Sequence, residues 1–127
     1  IWIGPAEGLS IASYLNKEKL KRPMTHDLLI TILTAANVKV ARAVITDLQN
    51  NTFFAKIILK IGAKNLEIDS RPSDAIAIAI RARVNIYIDE KVMEKCPIIQ
   101  KPITSEEAEN FKKEIQDLKP EDFFKEE

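Results

Sequence analysis

The sequence predicts an α+β fold, in which a single domain packs a largely antiparallel β-sheet against α-helices and ends in a charged C-terminal helix. The length of 127 residues suits one domain, because two independent cores would each need roughly 100 residues. With 46% apolar and 30% charged residues, the composition is that of an ordinary globular protein and excludes collagen-like, low-complexity and wholly disordered chains. Segments with helical spacing of apolar residues flank a run in which the spacing falls to two, which indicates helices around a sheet.

Features typical of a helix begin at Pro5. A proline suits a first turn, Glu7 lies near the positive end, and apolar residues follow at helical spacing, so we predict a helix over residues 5–17. Residues 1–4 have the pattern of the end of a strand, and we expect an upstream segment to supply its beginning.

A charged linker over residues 17–23 separates this helix from a second one. Pro23 disfavours helical backbone at the preceding residue, and Thr25 is the predicted N-cap of the next helix. His26 and Asp27 then fall in the first turn, where an acidic side chain complements the helix dipole. A buried apolar stripe is expected along this helix, formed by Leu28, Leu29, Ile32, Leu33 and Ala36.

The middle of the chain is predicted to be an antiparallel meander. Apolar residues alternate over residues 38–47, and strands also follow over residues 53–61 and 66–68. Turn-forming residues at 49–51 and 62–65 separate these strands.

Residues 72–83 are ambiguous by periodicity, because isoleucine alternates with alanine and both are apolar. The Pro-Ser-Asp start, the helix propensity of alanine and the late Arg81 and Arg83 favour a buried helix. A short strand over residues 85–88 and a helical turn over residues 89–95 are expected to complete the compact part of the chain.

The C-terminal segment is acidic. Thr104 and Glu107 fit a capping box that opens a helix to about residue 118. Residues 105–127 hold nine acidic and four basic residues, a net charge of −5, so the first 104 residues carry +5 and the neutral total hides a basic body. This asymmetry fits a polyanion-binding domain, a tail that folds back on the body, or a solvated terminal helix. We therefore divide the chain into a domain over residues 1–98 and an acidic helix and tail over residues 99–127.

The composition also limits the cellular compartment and the enzyme classes that fit this sequence. The one cysteine, Cys96, can form no disulfide within the chain and no thiol pair for zinc, which favours a reducing, cytoplasmic location. No apolar run approaches the roughly 20 residues that span a bilayer, so we expect no membrane partner. The motifs of P-loop enzymes, zincins, zinc fingers and serine hydrolases are absent from the sequence.

The densest polar cluster outside the tail lies between a strand and the buried helix, and consists of Glu67, Asp69, Ser70, Arg71, Ser73 and Asp74. Arg71 beside a helix N-terminus can hold a phosphate or a carboxylate. Asp69 and Asp74 would repel that anion unless a divalent cation joins them to it, which is the arrangement of metal-assisted phosphodiester hydrolysis. The alternative is a capped helix with an Arg–Asp ion pair.

A second polar cluster, which includes Arg22, Thr25, His26 and Asp27, lies at another helix start. His26 is the only histidine of the chain, and it can act as a base or a ligand, or it can cap or pack. Arg22 and the lysines of the preceding linker form a basic patch that could bind a phosphate backbone or stay solvated. Aromatic residues amount to 6% and do not interleave with basic ones, so stacking on bases is not indicated.

Four blocks, in this order and spacing, resemble the bifunctional nuclease domain family: Ile-Trp-Ile-Gly-Pro at the start with Glu7, then residues 22–29, residues 44–48 and residues 71–77. The resemblance extends to around residue 98. It implies hydrolysis of both DNA and RNA, an α+β fold and a homodimer. The family's polar blocks fall on Glu7, Arg22, Thr25, His26, Asp27, Asp69, Arg71, Ser73 and Asp74.

The predicted site combines this resemblance with the roles that phosphodiester hydrolysis requires. The predicted catalytic residues are His26, Asp27, Asp69, Arg71 and Asp74, and the predicted substrate-binding residues are Arg22, Thr25, Ser73 and Arg71. Asp69 and Asp74 would hold Mg²⁺ or Mn²⁺, Arg71 would neutralise the scissile phosphate, and the histidine would position or deprotonate water. This nuclease requires the two helix starts to meet in space. The alternative is a non-catalytic homo-oligomeric module that binds nucleic acid or a small ligand and has a regulatory role.

Overall fold

The computed structural model describes residues 1–96 and 103–119. Within these ranges the chain forms an α+β domain and a C-terminal helix, as the sequence predicts. The helices are α1 (Pro5–Leu15), α2 (Thr25–Ala35), α3 (Pro72–Ala82), α4 (Glu90–Lys95) and α5 (Ser105–Asp117), and the strands are β1 (Lys39–Gln49), β2 (Thr52–Ile61), β3 (Lys64–Ser70) and β4 (Ile86–Ile88). The predicted domain boundary at residues 98 and 99 and the tail over residues 120–127 lie outside the described residues.

The strands form one sheet in the order β3-β2-β1-β4. Because β1, β2 and β3 pair antiparallel, the predicted meander is confirmed. Asn50 and Asn51 turn β1 into β2 with φ angles of 49° and 60°, the left-handed conformation that tight hairpins need. β4 pairs parallel with β1, since the chain crosses the sheet through α3 before β4 begins.

α3 covers one face of the sheet and forms the core with β1, β2 and α4. The buried apolar residues of this core are Ala43, Ile45, Ala55, Ile57, Ala75, Ile78, Ala79 and Val92. The small alanine side chains let the helix approach the sheet closely, and the isoleucines fill the remaining space. α3 ends at Ala82 because Arg83 adopts the left-handed conformation, with a φ of 56°. The buried helix predicted over residues 72–83 is therefore confirmed.

α1 and α2 pack on the outer side of α3 and bring their first turns close to its N-terminus. The buried residues of α1 are Gly8, Ser10, Ala12 and Ser13, and their small side chains allow the close approach of α3. α1 ends at Leu15, two residues before the predicted end.

The apolar stripe predicted along α2 is wrong. α2 has no buried residue: Leu28, Leu29, Ile32 and Ala36 are exposed, and Leu33 is half-buried. α2 packs at the edge of the domain, so its partly buried Ile30, rather than the expected stripe, contacts the core. The N-cap prediction for Thr25 is also wrong, because Met24 is the N-cap and Thr25 is the first helical residue.

α5 begins with the predicted capping box. The Thr104 hydroxyl accepts a hydrogen bond from the backbone N–H of Glu107, and the Glu107 carboxylate accepts one from the backbone N–H of Thr104. The side-chain amide of Asn16 donates to the backbone oxygen of Ile115 at 2.9 Å, which joins α5 to the end of α1. None of the helices in the described ranges has the length and apolar character needed to cross a bilayer.

Candidate functional site

The first turns of α2 and α3 meet, although they lie far apart in the chain. His26, the second residue of α2, and Asp74, the third residue of α3, are joined by a contact of 2.9 Å between Nε2 and Oδ1. α2 and α3 pack against each other, which brings their N-terminal ends together. The meeting of the two helix starts that a nuclease site requires is therefore present.

Arg71 lies next to this pair and binds two carboxylates. Its Nε donates to Oδ2 of Asp74 at 2.8 Å and its Nη2 donates to Oδ1 at 3.1 Å, a bidentate contact. Nη2 also lies 3.0 Å from Oε1 of Glu7. Nη1 of Arg71 makes no hydrogen bond within the described residues, and the side chain is 64% exposed. Two N–H groups of the guanidinium are therefore available to an anion.

Glu7 reaches Arg71 because of the residue before its helix. Gly4 is the N-cap of α1, and a Cβ at this position would collide with the carboxylate of Glu7. The glycine thus leaves space for Glu7 to lie over the start of α1, with its side chain only 18% exposed, and to hold Arg71.

Below the pair, Ser10 connects His26 to a buried arginine. The Ser10 hydroxyl oxygen lies 2.6 Å from Nδ1 of His26. Nη2 of Arg81 donates to the same oxygen at 3.1 Å and to the backbone oxygen of Ser10 at 3.0 Å. Arg81, whose side chain is 4% exposed, also donates from Nε to Oδ1 of Asp27 at 2.7 Å and lies 5.1 Å from the ring centroid of Tyr14.

Five of the polar side chains at the helix starts, those of Glu7, Ser10, His26, Arg71 and Asp74, line an open cleft, which we call the His26 cleft. It has a volume of about 230 Å³ and is lined by Ala6, Glu7, Ser10, Met24, Thr25, His26, Arg71 and Asp74. Although these polar groups bind one another, they remain accessible to solvent or to a ligand through the cleft.

Both aspartates of this network stay ionised well into acid. Burial disfavours the charged form of Asp74, but hydrogen bonds from Arg71 and His26 outweigh it and hold the pKa of Asp74 below its ordinary value. Burial likewise opposes ionisation of Asp27, and the hydrogen bonds from Arg81 and the backbone N–H of Met24 outweigh it, so the pKa of Asp27 is also lowered. Asp74 is thus a fixed anion that orients Arg71 and His26.

Two of the predicted catalytic residues lie away from the His26 cleft. Asp27 does not line it, since its carboxylate binds Arg81 and the N-terminus of α2. Asp69 lies on β3 opposite Lys56 of β2. Because neighbouring residues of a strand point to opposite faces, and Ile68 pairs with the core residue Ile57, Asp69 points away from the face that α3 covers.

The predicted substrate-binding residues are divided. Thr25 and Arg71 line the His26 cleft, whereas Arg22 is exposed in the segment between α1 and α2 and does not line this cleft. Ser73 is buried beside a second cleft of about 310 Å³, which we call the Trp2 cleft. Its lining consists of Ile1, Trp2, Ile3, Gly4, Asn51, Thr52, Phe53, Arg71, Pro72 and Ser73, so Arg71 stands between the two clefts.

The side chains available here do not fit the predicted magnesium or manganese site. Such an ion prefers several oxygen ligands, and Asp69 is separated from Asp74 by the sheet. Both carboxylate oxygens of Asp74 already bind Arg71, and one of them also binds His26. Among the described residues, no group of three or more His, Cys, Asp or Glu side chains could hold a metal ion. We therefore derive no chemical step from a metal.

Two residues of the network, Ser10 and Arg81, have no functional signal in the sequence. Ser10 is one serine within a helix, and Arg81 has the pattern of a cation at a helix C-terminus. Glu7 belongs to the polar blocks of the resemblance, but its local pattern is only that of an acid in a first turn. Only the packing of α1 and α2 against α3 brings these three residues to His26 and Arg71.

Comparison with known proteins gives a consistent result. A family model described as the bifunctional nuclease domain matches residues 1–101 of this chain. The uncharacterized proteins MT1877 and Rv1829, from two strains of Mycobacterium tuberculosis, are each 34% identical to it over 132 residues. These alignments cover 97% of this chain and 79% of each relative.

Proposed function

This chain belongs to the bifunctional nuclease domain family, and from that membership we propose that it hydrolyses phosphodiester bonds of DNA and RNA in the His26 cleft. The family indicates a nucleic-acid-related function, and the geometry supports hydrolysis in particular. The observation that carries the proposal is the contact of 2.9 Å between His26 and Asp74 in an open cleft, beside an arginine with unused donors.

Arg71 is the group that binds the scissile phosphate. Its bonds to Glu7 and Asp74 fix the plane of the guanidinium, so little side-chain entropy is lost when an anion binds. The two N–H groups of Nη1 can then donate to one or two phosphate oxygens. A guanidinium in this position also stabilises the negative charge that develops as the phosphorus is attacked.

His26 and Asp74 form the proton-transfer pair. A water that attacks the phosphorus must lose a proton, and an imidazole paired with a carboxylate can accept it, because the carboxylate stabilises the imidazolium that forms. Asp74 suits this supporting role better than the role of base, since its lowered pKa makes it a weak proton acceptor.

The Trp2 cleft extends the proposed binding site. It shares Arg71 with the His26 cleft and contains Trp2, which is fully exposed, and Phe53. A nucleotide whose phosphate is on Arg71 could place an adjacent base against these aromatic rings, and base–aromatic stacking tolerates any sequence. The net charge of +5 on the first 104 residues favours a polyanion over an uncharged substrate.

Cleavage assays on single-stranded DNA and RNA test the proposal. We expect His26→Ala and Asp74→Asn to lower kcat/KM for both substrates by about 10²-fold or more, the usual loss when a proton-transfer group is removed. Lys56→Met, which breaks an ion pair with Glu67 on the sheet, is the matched control and should cleave as the wild type does. Unchanged cleavage by His26→Ala and Asp74→Asn would refute the proposed roles.

Metal dependence is tested in the same assay. We expect cleavage to persist in EDTA, because Asp74 is bound to Arg71 and His26. Loss of cleavage in EDTA, with recovery on addition of Mg²⁺ or Mn²⁺, would instead support the predicted metal site on Asp69 and Asp74.

The second candidate is a non-catalytic homo-oligomeric module that binds nucleic acid or a small ligand. The ion pair between Arg71 and Asp74 favours it, because this pair also orders the start of α3 without any reaction. Binding of an oligonucleotide by the wild type and by His26→Ala with equal affinity, and no cleavage by either, would support this candidate.

We also propose that the protein is a cytoplasmic homodimer. α2 exposes Leu28, Leu29 and Ile32, with exposed fractions of 49%, 37% and 54%, and these side chains lie on one side of the helix. An apolar face of this kind suits a subunit interface. Light scattering should give a dimeric mass for the wild type and a monomeric mass for Ile32→Glu.

A further inference from the structure

We propose that Arg81, Ser10, His26 and Asp74 form one directed hydrogen-bond chain that holds His26 as its Nε2–H tautomer and makes Ser10 the group through which the imidazole receives a proton. The role in catalysis rests on the proposed nuclease function, whereas the direction of the chain does not. Ser10 is thereby a proton-transfer residue that no sequence pattern indicates.

At the Asp74 end of the hydrogen-bond chain, the carboxylate determines which ring nitrogen of His26 carries the proton. Asp74 is ionised and binds Arg71, so its oxygens only accept hydrogen bonds. The contact of 2.9 Å between its Oδ1 and Nε2 of His26 therefore requires a hydrogen on Nε2. In the neutral imidazole, Nδ1 is then the acceptor.

The Arg81 end of the hydrogen-bond chain is compatible with this direction, which the Asp74 end decides. Arg81 is always protonated and can only donate, so the hydroxyl oxygen of Ser10 accepts from Nη2 at 3.1 Å. The hydroxyl hydrogen of Ser10 is then free to point at Nδ1 of His26, 2.6 Å away. Every hydrogen bond from Arg81 to Asp74 thus points in the same direction, which polarises the serine hydroxyl toward the imidazole.

The arrangement leaves one route by which His26 can accept a proton. Nε2 carries its own hydrogen, and Nδ1 is covered by Ser10, which is 3% exposed and also lines the His26 cleft. The attacking water gives a proton to the oxygen of Ser10 as the serine gives its own proton to Nδ1. The water oxygen bonds to phosphorus, the bond from phosphorus to the leaving sugar oxygen breaks, and that oxygen takes a proton from solvent. The imidazolium then returns its added proton to solvent through Ser10.

The chain contains one histidine, so nitrogen-15 spectra of histidine-labelled protein report on His26 alone. In neutral wild-type protein we expect Nε2 to resonate as a protonated ring nitrogen and Nδ1 as an unprotonated, hydrogen-bonded one. Ser10→Ala should move the Nδ1 resonance toward that of a nitrogen without a hydrogen bond. Ser13→Ala, the same substitution at another buried serine of α1, is the control and should leave the spectrum unchanged. A protonated Nδ1 in the wild type would overturn the proposal.

Kinetics test the transfer step. We expect Ser10→Ala to lower kcat by about 10²-fold with little change in KM, Ser10→Thr to recover most of the loss, and Ser13→Ala to match the wild type. A Ser10→Ala protein that is folded and cleaves at the wild-type rate would overturn the transfer step. Absence of cleavage in every form would refute the nuclease function and the transfer step together, while the nitrogen spectrum would still decide the direction of the chain.

Discussion

Asp74 and Asp47 are both held by positively charged partners, but the two regions differ in what surrounds them. Asp47, on β1, accepts from Nζ of Lys95 at 2.8 Å, from the side chain of Gln49 at 2.6 Å and from its neighbour's backbone N–H. Asp74 accepts from Arg71 and from a histidine of another helix. Hydrogen bonds lower the pKa of both carboxyl groups, and that of Asp47 is lowered strongly.

The difference shows which features mark a candidate site. A lowered pKa alone does not, since the partners of Asp47 are surface lysines and groups within two residues of it. Asp74 differs because it joins a histidine to an arginine with unused donors, in a cleft formed by three helices. The two aspartates therefore provide matched pairs of variants.

The largest expected effect is a loss of cleavage activity on substitution of Asp74 but not of Asp47. Asp74→Asn should lower kcat/KM for single-stranded DNA and RNA by about 10²–10⁴-fold, because the imidazolium and Arg71 lose their fixed anion. Asp47→Asn should leave cleavage unchanged. Steady-state assays on proteins purified in the same way measure both, and an equal loss in the two variants would indicate a general effect on folding.

The next effect separates the two regions by stability. Arg81→Met should lower the free energy of unfolding by about 2 kcal/mol, because the buried Ser10 loses a hydrogen-bond donor and the partly exposed Asp27 loses its ion-pair partner. Lys95→Met removes an exposed partner of Asp47 and should have a much smaller effect. Urea unfolding measures both values, and equal losses would contradict the distinction.

A smaller effect tests how Arg71 binds phosphate. Arg71→Lys keeps the charge but cannot hold two carboxylates and a phosphate in one plane, so KM should rise about tenfold, equivalent to about 1.4 kcal/mol. Arg42→Lys, on β1 and outside both clefts, should leave KM unchanged. A change of kcat alone in Arg71→Lys would indicate that the arginine does not contribute to substrate binding.

The smallest effect is the pH dependence of stability. Because the folded-state pKa values of Asp74 and Asp47 lie below the ordinary value of 3.8, each carboxyl group stabilises the fold fully above pH 3.8, and this contribution is lost as the pH falls through the folded-state value. The Tm of Asp74→Asn and of Asp47→Asn should therefore fall less steeply in acid than that of the wild type. Calorimetry measures these slopes, and parallel curves would contradict the account.

The elements that the sequence predicts well are those fixed by local pattern. Alternating apolar residues and the Asn50-Asn51 turn determine the meander, and the Pro72 start with its alanines determines α3. The α2 stripe was wrong because helical spacing gives a face but not the neighbour that covers it. Leu28 and Ile32 satisfy the spacing and are nevertheless exposed.

In the candidate site, too, some residues are predicted by local pattern and others are brought together only by packing. Local pattern is sufficient to mark His26, Arg71 and Asp74 as candidates, because they are polar residues at helix starts. The same pattern also selects Asp27 and Ser73, which do not line the His26 cleft. Asp69 is only five residues from Asp74, but the register of β3 turns it to the other face of the sheet. Ser10 and Arg81 depend on the packing of three helices, and no pattern within one segment encodes that contact.

The central claim is that nucleic acid binds where Arg71, His26 and Asp74 meet, and a titration of histidine-labelled protein tests it most directly. A short single-stranded oligonucleotide with a non-hydrolysable backbone is added while the nitrogen-15 resonances of His26 are followed. We expect these resonances to shift in step with binding in the wild type, and binding to weaken strongly in Arg71→Gln. Saturable binding that leaves the His26 resonances unmoved, with equal affinity in Arg71→Gln, would contradict the claim.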